Sequence, residues 1–391
     1  MLCAKHYNLL SMKAAIRSFG KINLGLYIGA RRADGFHELR TVYQTIALHD
    51  VIRVEVGAGS GTQVVCEDAR VPCDSTNTCY RIAEKVMEAV GAHGRVRIEI
   101  GKKLPVQGGL GAASSNAVAT MLALERALKS SAGRKKKADG GLLSSSERMR
   151  IAAEVGSDLP LFLTGGTVLG VGRGEEVYPL ADLPRVPMVV VTPDVGVSTP
   201  RAFAAWDELA KRSGEDPKPR SSRTGTGDSV NAAGNQTRSS IRTGSGIDQE
   251  ARRASSSNKL TGYGRSDRLF EVGCALSAWL SGAPEAGAPA KGGGRAGSLL
   301  SDLVRAGIEN DFERVVFSEF PELRDIKRAL ERAGSRYASL SGSGSTLYGL
   351  FESTAAAQRA ARRLQKGGLK AAVTRTLTRK EYWNEWLVIS G

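Results

Sequence analysis

The stretch "RVRIEIGKKLPVQGGLGAASSNAVATMLALERAL", beginning at Arg95, restricts the fold more than any other part of the chain. Its first residues alternate apolar and polar side chains, which predicts a strand. Its last residues place Val118, Met121, Leu122 and Leu128 on one stripe at helical spacing. Between them lies "PVQGGLGAASSNA", residues 105–117, where Gly108, Gly109 and Gly111 stand beside Ser114, Ser115 and Asn116. A strand that enters a glycine-rich turn and leaves as a helix, here starting around Ser114 to Asn116, belongs to a layered fold of strands and helices. The same turn has the makings of an anion cradle. Glycines let backbone N–H groups approach a phosphate without an intervening Cβ, and the helix start adds the positive end of its dipole. A purely structural glycine-rich helix start has the same sequence. Two familiar phosphate patterns are excluded: no lysine lies between Pro105 and Asn116, and Ser114 stands where a dinucleotide fingerprint needs its third glycine.

With 391 residues the chain has room for two domains with ordinary cores. Alternating strand signals recur in "DVIRVEVG" from Asp50, and "NTCYRIAEKVMEAV" carries Ile82, Val86 and Val90 on a helical stripe. The short apolar strand "PMVVVTP" opens a second domain, so the expected division is 12–183 and 184–391, with Met12 as a second candidate start. Near 213–268 the chain is rich in Ser, Gly, Arg, Thr and Asn and almost lacks aliphatic residues, and 282–298 is rich in Gly, Ala and Pro. Such segments cannot bury enough apolar surface to offset their ordering entropy, so both are expected to be disordered inserts. Beyond them, "LVRAGIENDFERVVFSEFPELRDIKRALERAG" reads as helices broken near Pro321. "YASLSG", "SGSGS", "TLYGLF" and "TAAAQRAARRLQKGG" then form a strand, loop, strand and helix, and "KAAVTRTL" is the final strand.

The formal charge of +15 invites a nucleic-acid reading. The basic run Arg134 to Lys137 and many arginines, however, fall in loop-like segments without interleaved aromatics, which fits solvated loops and still favours an anionic small substrate. No apolar run is long enough to span a bilayer, and the N-terminus lacks an apolar core followed by a cleavage site, so a cytoplasmic protein is expected. The five cysteines form no C-x-x-C pair and read as reduced, mostly packing residues; the four histidines are scattered, and no metal site is expected of the protein's own side chains.

Three further stretches carry chemistry. "GKINLGLYIGARRADGFHEL" (20–39) puts Lys21 and Asn23 two apart, on one face of a strand. "GSDLPLFLTGGTVLGVGRGE" (156–175) sets Asp158 in a short turn among apolar residues, where it can serve as a base. "SLSGSGSTLYGLF" (339–351) is a second glycine-serine loop between strands. Singly, each has a plainer reading: an edge-strand lysine, an N-cap aspartate, a flexible turn. Together, a lysine, an aspartate and two anion-binding loops suit phosphoryl transfer, where positioning and charge stabilisation do most of the catalytic work.

On these stretches, in this order, the chain resembles the GHMP kinase superfamily, and in particular its branch that phosphorylates 4-diphosphocytidyl-2-C-methyl-D-erythritol in non-mevalonate isoprenoid biosynthesis. The resemblance covers most of residues 14–212 and 299–376. It implies an α+β fold of two domains, ribosomal-S5-domain-2-like then ferredoxin-like, with ATP, Mg²⁺ and substrate in the cleft between. It implies that Asp158 takes the proton of the substrate's tertiary hydroxyl and that the charge of Lys21 keeps that aspartate ionised. Asn23 would bond the methylerythritol part. Pro105, Val106, Gln107, Gly108, Gly109, Leu110, Gly111, Ala112, Ala113, Ser114 and Ser115 would wrap the ATP phosphates, and Asn77 and Lys102 would meet its base or sugar. The cytosine would sit between aromatic rings, Phe36 and His37 on one side and Pro200 and Phe203 on the other. Phe36 stands where a tyrosine is usual, and Ser157 where alanine is common. The expected partner is the cytidine diphosphate methylerythritol alone, with no nucleic acid or membrane, on a monomer or weak homodimer. The rival readings are a GHMP kinase for another alcohol, such as homoserine or mevalonate, and a basic nucleic-acid-binding protein.

Overall fold

The computed structural model describes residues 12–131, 142–212 and 308–387. The expected inserts at 213–268 and 282–298, the basic run Arg134 to Lys137, and Cys3, Cys274 and His6 lie outside these residues. Two long strands organise the first sheet: β1 (Met12–Arg31) pairs antiparallel with β2 (His37–Gly57) along nearly its whole length. The pairing slips between Phe19 and Lys21 and again between Asn23 and Gly25, so Lys21 and Asn23 sit on a segment bounded by two irregularities. The far edge of β2 takes β4 (Arg95–Gly101) along its C-terminal half and β5 (Thr167–Val171) along its N-terminal half. β3 (Thr62–Cys66) and β6 (Glu176–Pro179) close the ends of this six-stranded sheet.

Helices α1 (Thr78–Ala89) and α2 (Ala112–Ser131) pack against this sheet, burying Ile82 and Val86 from α1 and Val118, Met121 and Leu128 from α2, and α3 (Ser145–Val155) packs on α1. Each such fully buried side chain contributes roughly 1.5–3 kcal/mol over leaving it in water. α2 begins at Ala112, earlier than the Ser114 to Asn116 read from the sequence, because Gly111 O already accepts from Ser115 N. Of the described cysteines, Cys79 is buried in the core and half-buried Cys66 packs against it, as expected, while Cys73 is exposed; all three are free thiols.

The second sheet contains β7 (Pro187–Val191), β8 (Tyr337–Leu340), β9 (Leu347–Leu350) and β10 (Ala371–Arg375) in the order β10-β7-β9-β8, all antiparallel. With the first and third strands central, this is the ferredoxin-like order. Helices α5 (Thr199–Arg212), α6 (Phe312–Glu319), α7 (Pro321–Arg332) and α8 (Thr354–Lys366) cover it; the break at Pro321 falls where the sequence puts it, and Leu323, Ile326 and Leu330 form the buried stripe of α7. A separate apolar layer joins the two sheets, with Ile22, Leu24, Val42 and Ile46 from the first against Met188, Val190, Tyr348 and Leu350 from the second. β1 is therefore buried on both faces from Ser18 to Gly29, unlike the one-sided alternation of a surface strand. After β10 the chain crosses back. Helix α9 (Arg379–Glu385) seats Tyr382 against Phe19, with the Tyr382 hydroxyl donating to Phe162 O at 2.7 Å and Trp383 Nε1 to Thr164 O at 3.1 Å. No helix among the described residues is long and apolar enough to cross a membrane.

Candidate active site

Three segments converge on the irregular part of β1. Lys21 N donates to Leu110 O at 2.9 Å, which fastens the first glycine loop to the strand. The second loop, 341–346, packs on the first: Thr346 N donates to Gly108 O and the Ser341 hydroxyl to Gly109 O, at 3.2 and 3.0 Å. Gly109 has a φ of +76°, and a Cβ there would overlap Ser341 O, so the two loops can touch only with glycine at this position. The second loop is held in turn by Asn310, which is buried and donates from Nδ2 to Leu340 O and Gly342 O, while Asp311 Oδ2 accepts from Ile28 N.

Lys21 is buried, and its ammonium donates to Asn23 Oδ1 at 2.7 Å and stands 3.6 Å from Asp158 Oδ2. Burial holds this ammonium below the usual lysine range, while the charge of Asp158 works against that shift. Asp158 precedes the short helix α4 (Leu159–Thr164) at its N-cap position but makes no capping bond. Its side chain, one-third exposed, instead accepts from the Tyr43 hydroxyl at 3.0 Å. Asn23 Nδ2 donates to Thr41 Oγ1, which donates to Gly25 O, so the amide is oriented by its own strand pair. The arrangement supplies a carboxylate open to the cleft, a fixed cation beside it, and two backbone-lined loops with the N-terminus of a long helix above them.

Several expected nucleotide contacts are engaged inside the protein. The Ser115 hydroxyl is buried and donates to Phe19 O, with Ser18 donating to it. Asn77 caps α1, accepting from Cys79 N and donating to Pro72 O. Lys102 pairs with buried Asp50 at 2.6 Å, and Asp50 also accepts from Lys103 N, Leu104 N and Asn116 Nδ2. Leu110 is core. Gln107, Ala113 and half-buried Ser114 remain at the loop surface.

The residues expected to form a two-sided slot for a pyrimidine are arranged otherwise. His37 stacks on Phe203, with centroids 4.9 Å apart and planes at 10°, and its Nε2 is 2.7 Å from Asp207 Oδ1. These two rings leave no gap for a base between them, and Phe203 is backed edge-on by Phe312. Phe36 is half exposed, with the Arg173 guanidinium over its ring at 5.0 Å. Pro200 is exposed at the start of α5, whose Thr199 hydroxyl bonds Ser343 of the second loop. The sequence reading missed Tyr43, Asn310, Asp50 and Asp207. Only "NDFE" at Asn310 carried a signal, as part of a stretch read for helix.

The two halves define a class. Residues 77–166 match the model of the GHMP kinases N terminal domain and residues 295–369 that of the GHMP kinases C terminal domain, so the chain is an ATP-dependent small-molecule kinase. Similar solved structures include a 4-(cytidine 5'-diphospho)-2C-methyl-D-erythritol kinase, with 26% identity, a TM-score of 0.58 and coverage of 93% of this chain and 98% of that one. A homoserine kinase from Cytophaga hutchinsonii has the same TM-score at 17% identity over 96% and 98% of the two chains, a likeness of fold alone. The 4-diphosphocytidyl-2-C-methyl-D-erythritol kinase of Solibacter usitatus is 33% identical over 86% of this chain and 81% of its own length, and that of Heliobacterium modesticaldum is 31% identical over 94% and 96%. The chain belongs to the 4-diphosphocytidyl-2-C-methyl-D-erythritol kinase family.

Proposed function

We propose that the protein transfers the γ-phosphoryl group of ATP to the 2-hydroxyl of 4-diphosphocytidyl-2-C-methyl-D-erythritol, releasing ADP and the 2-phosphate. The observation that carries this reading is the pairing of Asp158 with buried Lys21, 3.6 Å apart beneath two touching glycine loops. Asp158 is the base for the hydroxyl proton, and Lys21 supplies a fixed positive charge that favours the ionised carboxylate and the developing alkoxide. Asn23, already oriented by Thr41, bonds the erythritol part. The backbone of 107–111, where Gly109 and Gly111 have φ of +76° and +70°, and the first N–H groups of α2 receive the triphosphate, and backbone donors of this kind fit that group. Mg²⁺, when bound, would supply positive charge to the transferring phosphates. Among the described residues there is no cluster of three or more His, Cys, Asp or Glu side chains that could hold a metal ion, and the Ser114 hydroxyl and the Asp158 carboxylate are the side chains that would hold it alongside the phosphates.

Specificity for the cytidine end is assigned to His37, Phe203 and Phe36. Replacing Phe203 by alanine removes the ring on which His37 lies, and the expected result is a KM for the cytidine substrate raised about tenfold, equivalent to about 1.4 kcal/mol, with KM for ATP unchanged. A coupled ADP-release assay over 4-diphosphocytidyl-2-C-methyl-D-erythritol, homoserine and mevalonate tests the whole assignment. Turnover confined to the cytidine compound is expected; turnover of homoserine or mevalonate alone would replace the substrate, and salt-sensitive nucleic-acid binding without any ATP turnover would replace the class.

A further inference from the structure

Tyr43 has no part in the mechanism derived so far, yet the first sheet is built around it. Its ring is buried and crosses β5 at Gly170, where a Cβ would lie 2.5 Å from Tyr43 Cε2. Its hydroxyl lies under the loop after β5 at Gly174, where a Cβ would lie 2.6 Å from the phenol oxygen. Both approaches are closer than any real Cβ contact, so glycine at these two places is what admits the ring and its hydroxyl. The hydroxyl then donates to Asp158 Oδ1 at 3.0 Å, and the Lys21 ammonium stands 5.5 Å from the ring centroid. The opposite carboxylate oxygen, Oδ2, faces Lys21 at 3.6 Å, longer than a hydrogen bond.

We infer that Tyr43 is a positioning residue for phosphoryl transfer: by occupying Asp158 Oδ1 it fixes the carboxylate plane and leaves Oδ2, on the Lys21 side, to take the substrate's proton. This rests on the base assignment of Asp158. In the step, the substrate O–H bond breaks and an O–H bond forms at Oδ2. The hydroxyl oxygen bonds the γ-phosphorus, and the bond between that phosphorus and its bridging oxygen breaks to leave ADP. Burial, and then the negative charges of Asp158 and Glu175, push the Tyr43 hydroxyl well above the usual tyrosine range, so it remains a donor throughout. The charged groups around the carboxylate are Lys21 from β1 and, on the loop after β5, Glu175 with its partner Arg173.

The test is Tyr43→Phe, which keeps the ring in its recess and removes only the hydroxyl. A hydrogen bond to a charged group is strong enough that its loss is expected to lower kcat about tenfold, with KM for ATP and for the cytidine substrate within about twofold. A residue that only packs would lower stability and leave kcat in place, so thermal melts beside the separate kcat and KM values distinguish the two roles. Unchanged kcat in a folded Tyr43→Phe variant would overturn the inference. An Asp158→Asn variant that keeps full turnover would instead remove the base assignment on which it rests, so the two failures are distinguishable.

Discussion

Replacing Asp158 by asparagine is expected to lower kcat by roughly 10²–10⁴-fold, the range over which a positioned general base contributes. Asparagine has nearly the same shape, and its amide oxygen still accepts from the Tyr43 hydroxyl that now bonds Oδ1. The α4 N-terminus is undisturbed, since the Asp158 side chain makes no capping bond there. Folding and binding of both substrates are therefore expected to hold, and the loss to fall on the chemical step alone. Single-turnover kinetics beside calorimetric titration of ATP separate these quantities. A variant with undiminished turnover would remove Asp158 as the base, and a variant that no longer binds substrate would make it a binding group.

The second large effect is expected at Gly109→Ala. The residue has a φ of +76°, which an L side chain adopts only under strain, and the new Cβ would meet a backbone carbonyl, Ser341 O, that cannot swing away. Relief requires the two glycine loops to separate, which breaks the bonds from Ser341 and Thr346 to the first loop. Strain and overpacking of this kind cost about 1–3 kcal/mol. A melting temperature lower by several degrees is expected, with ATP affinity reduced by at least about tenfold, because the cradle is shaped by this contact. Thermal melts with and without ATP check both. Normal ATP affinity in a destabilised variant would mean that the loop interlock serves stability alone.

Much of this architecture could be read from the chain. Period-two runs became β4 and the C-terminal part of β2, the short apolar run became β7, and the stripes of Ile82 and Val86 and of Val118 and Met121 became the buried faces of α1 and α2. These elements are fixed by local periodicity, which a sequence displays directly. Lys21 and Asp158 were legible because each sits in an unusual setting, a lysine in an apolar strand and an aspartate in an apolar turn. Which polar residue faces inward was not legible. Ser114 and Ser115 look alike in the sequence, yet one helical step turns Ser115 onto Phe19 O and leaves Ser114 at the surface. Lys102 reads as a free cation until the fold places buried Asp50 against it, across about fifty positions of chain. His37 reads as half of a slot until α5 brings Phe203 flat against it and Asp207 onto its Nε2. Contacts of this kind depend on tertiary placement, for which no local pattern exists.

The return of α9 to the first sheet has a consequence for how the protein comes into being. Phe19, two positions before Lys21, is packed by Leu377 and Tyr382, and Arg17 N donates to Trp386 O. During synthesis the strand that carries Lys21 emerges early, but the residues that close over its neighbour emerge hundreds of positions later. Until residues 377–387 arrive, the aromatic pocket beside Lys21 lacks its cover. Closure of this pocket thus waits for residues 377–387, and a nascent chain that stalls before Arg379 presents both glycine loops without the support that sets Phe19 and Phe162 behind them.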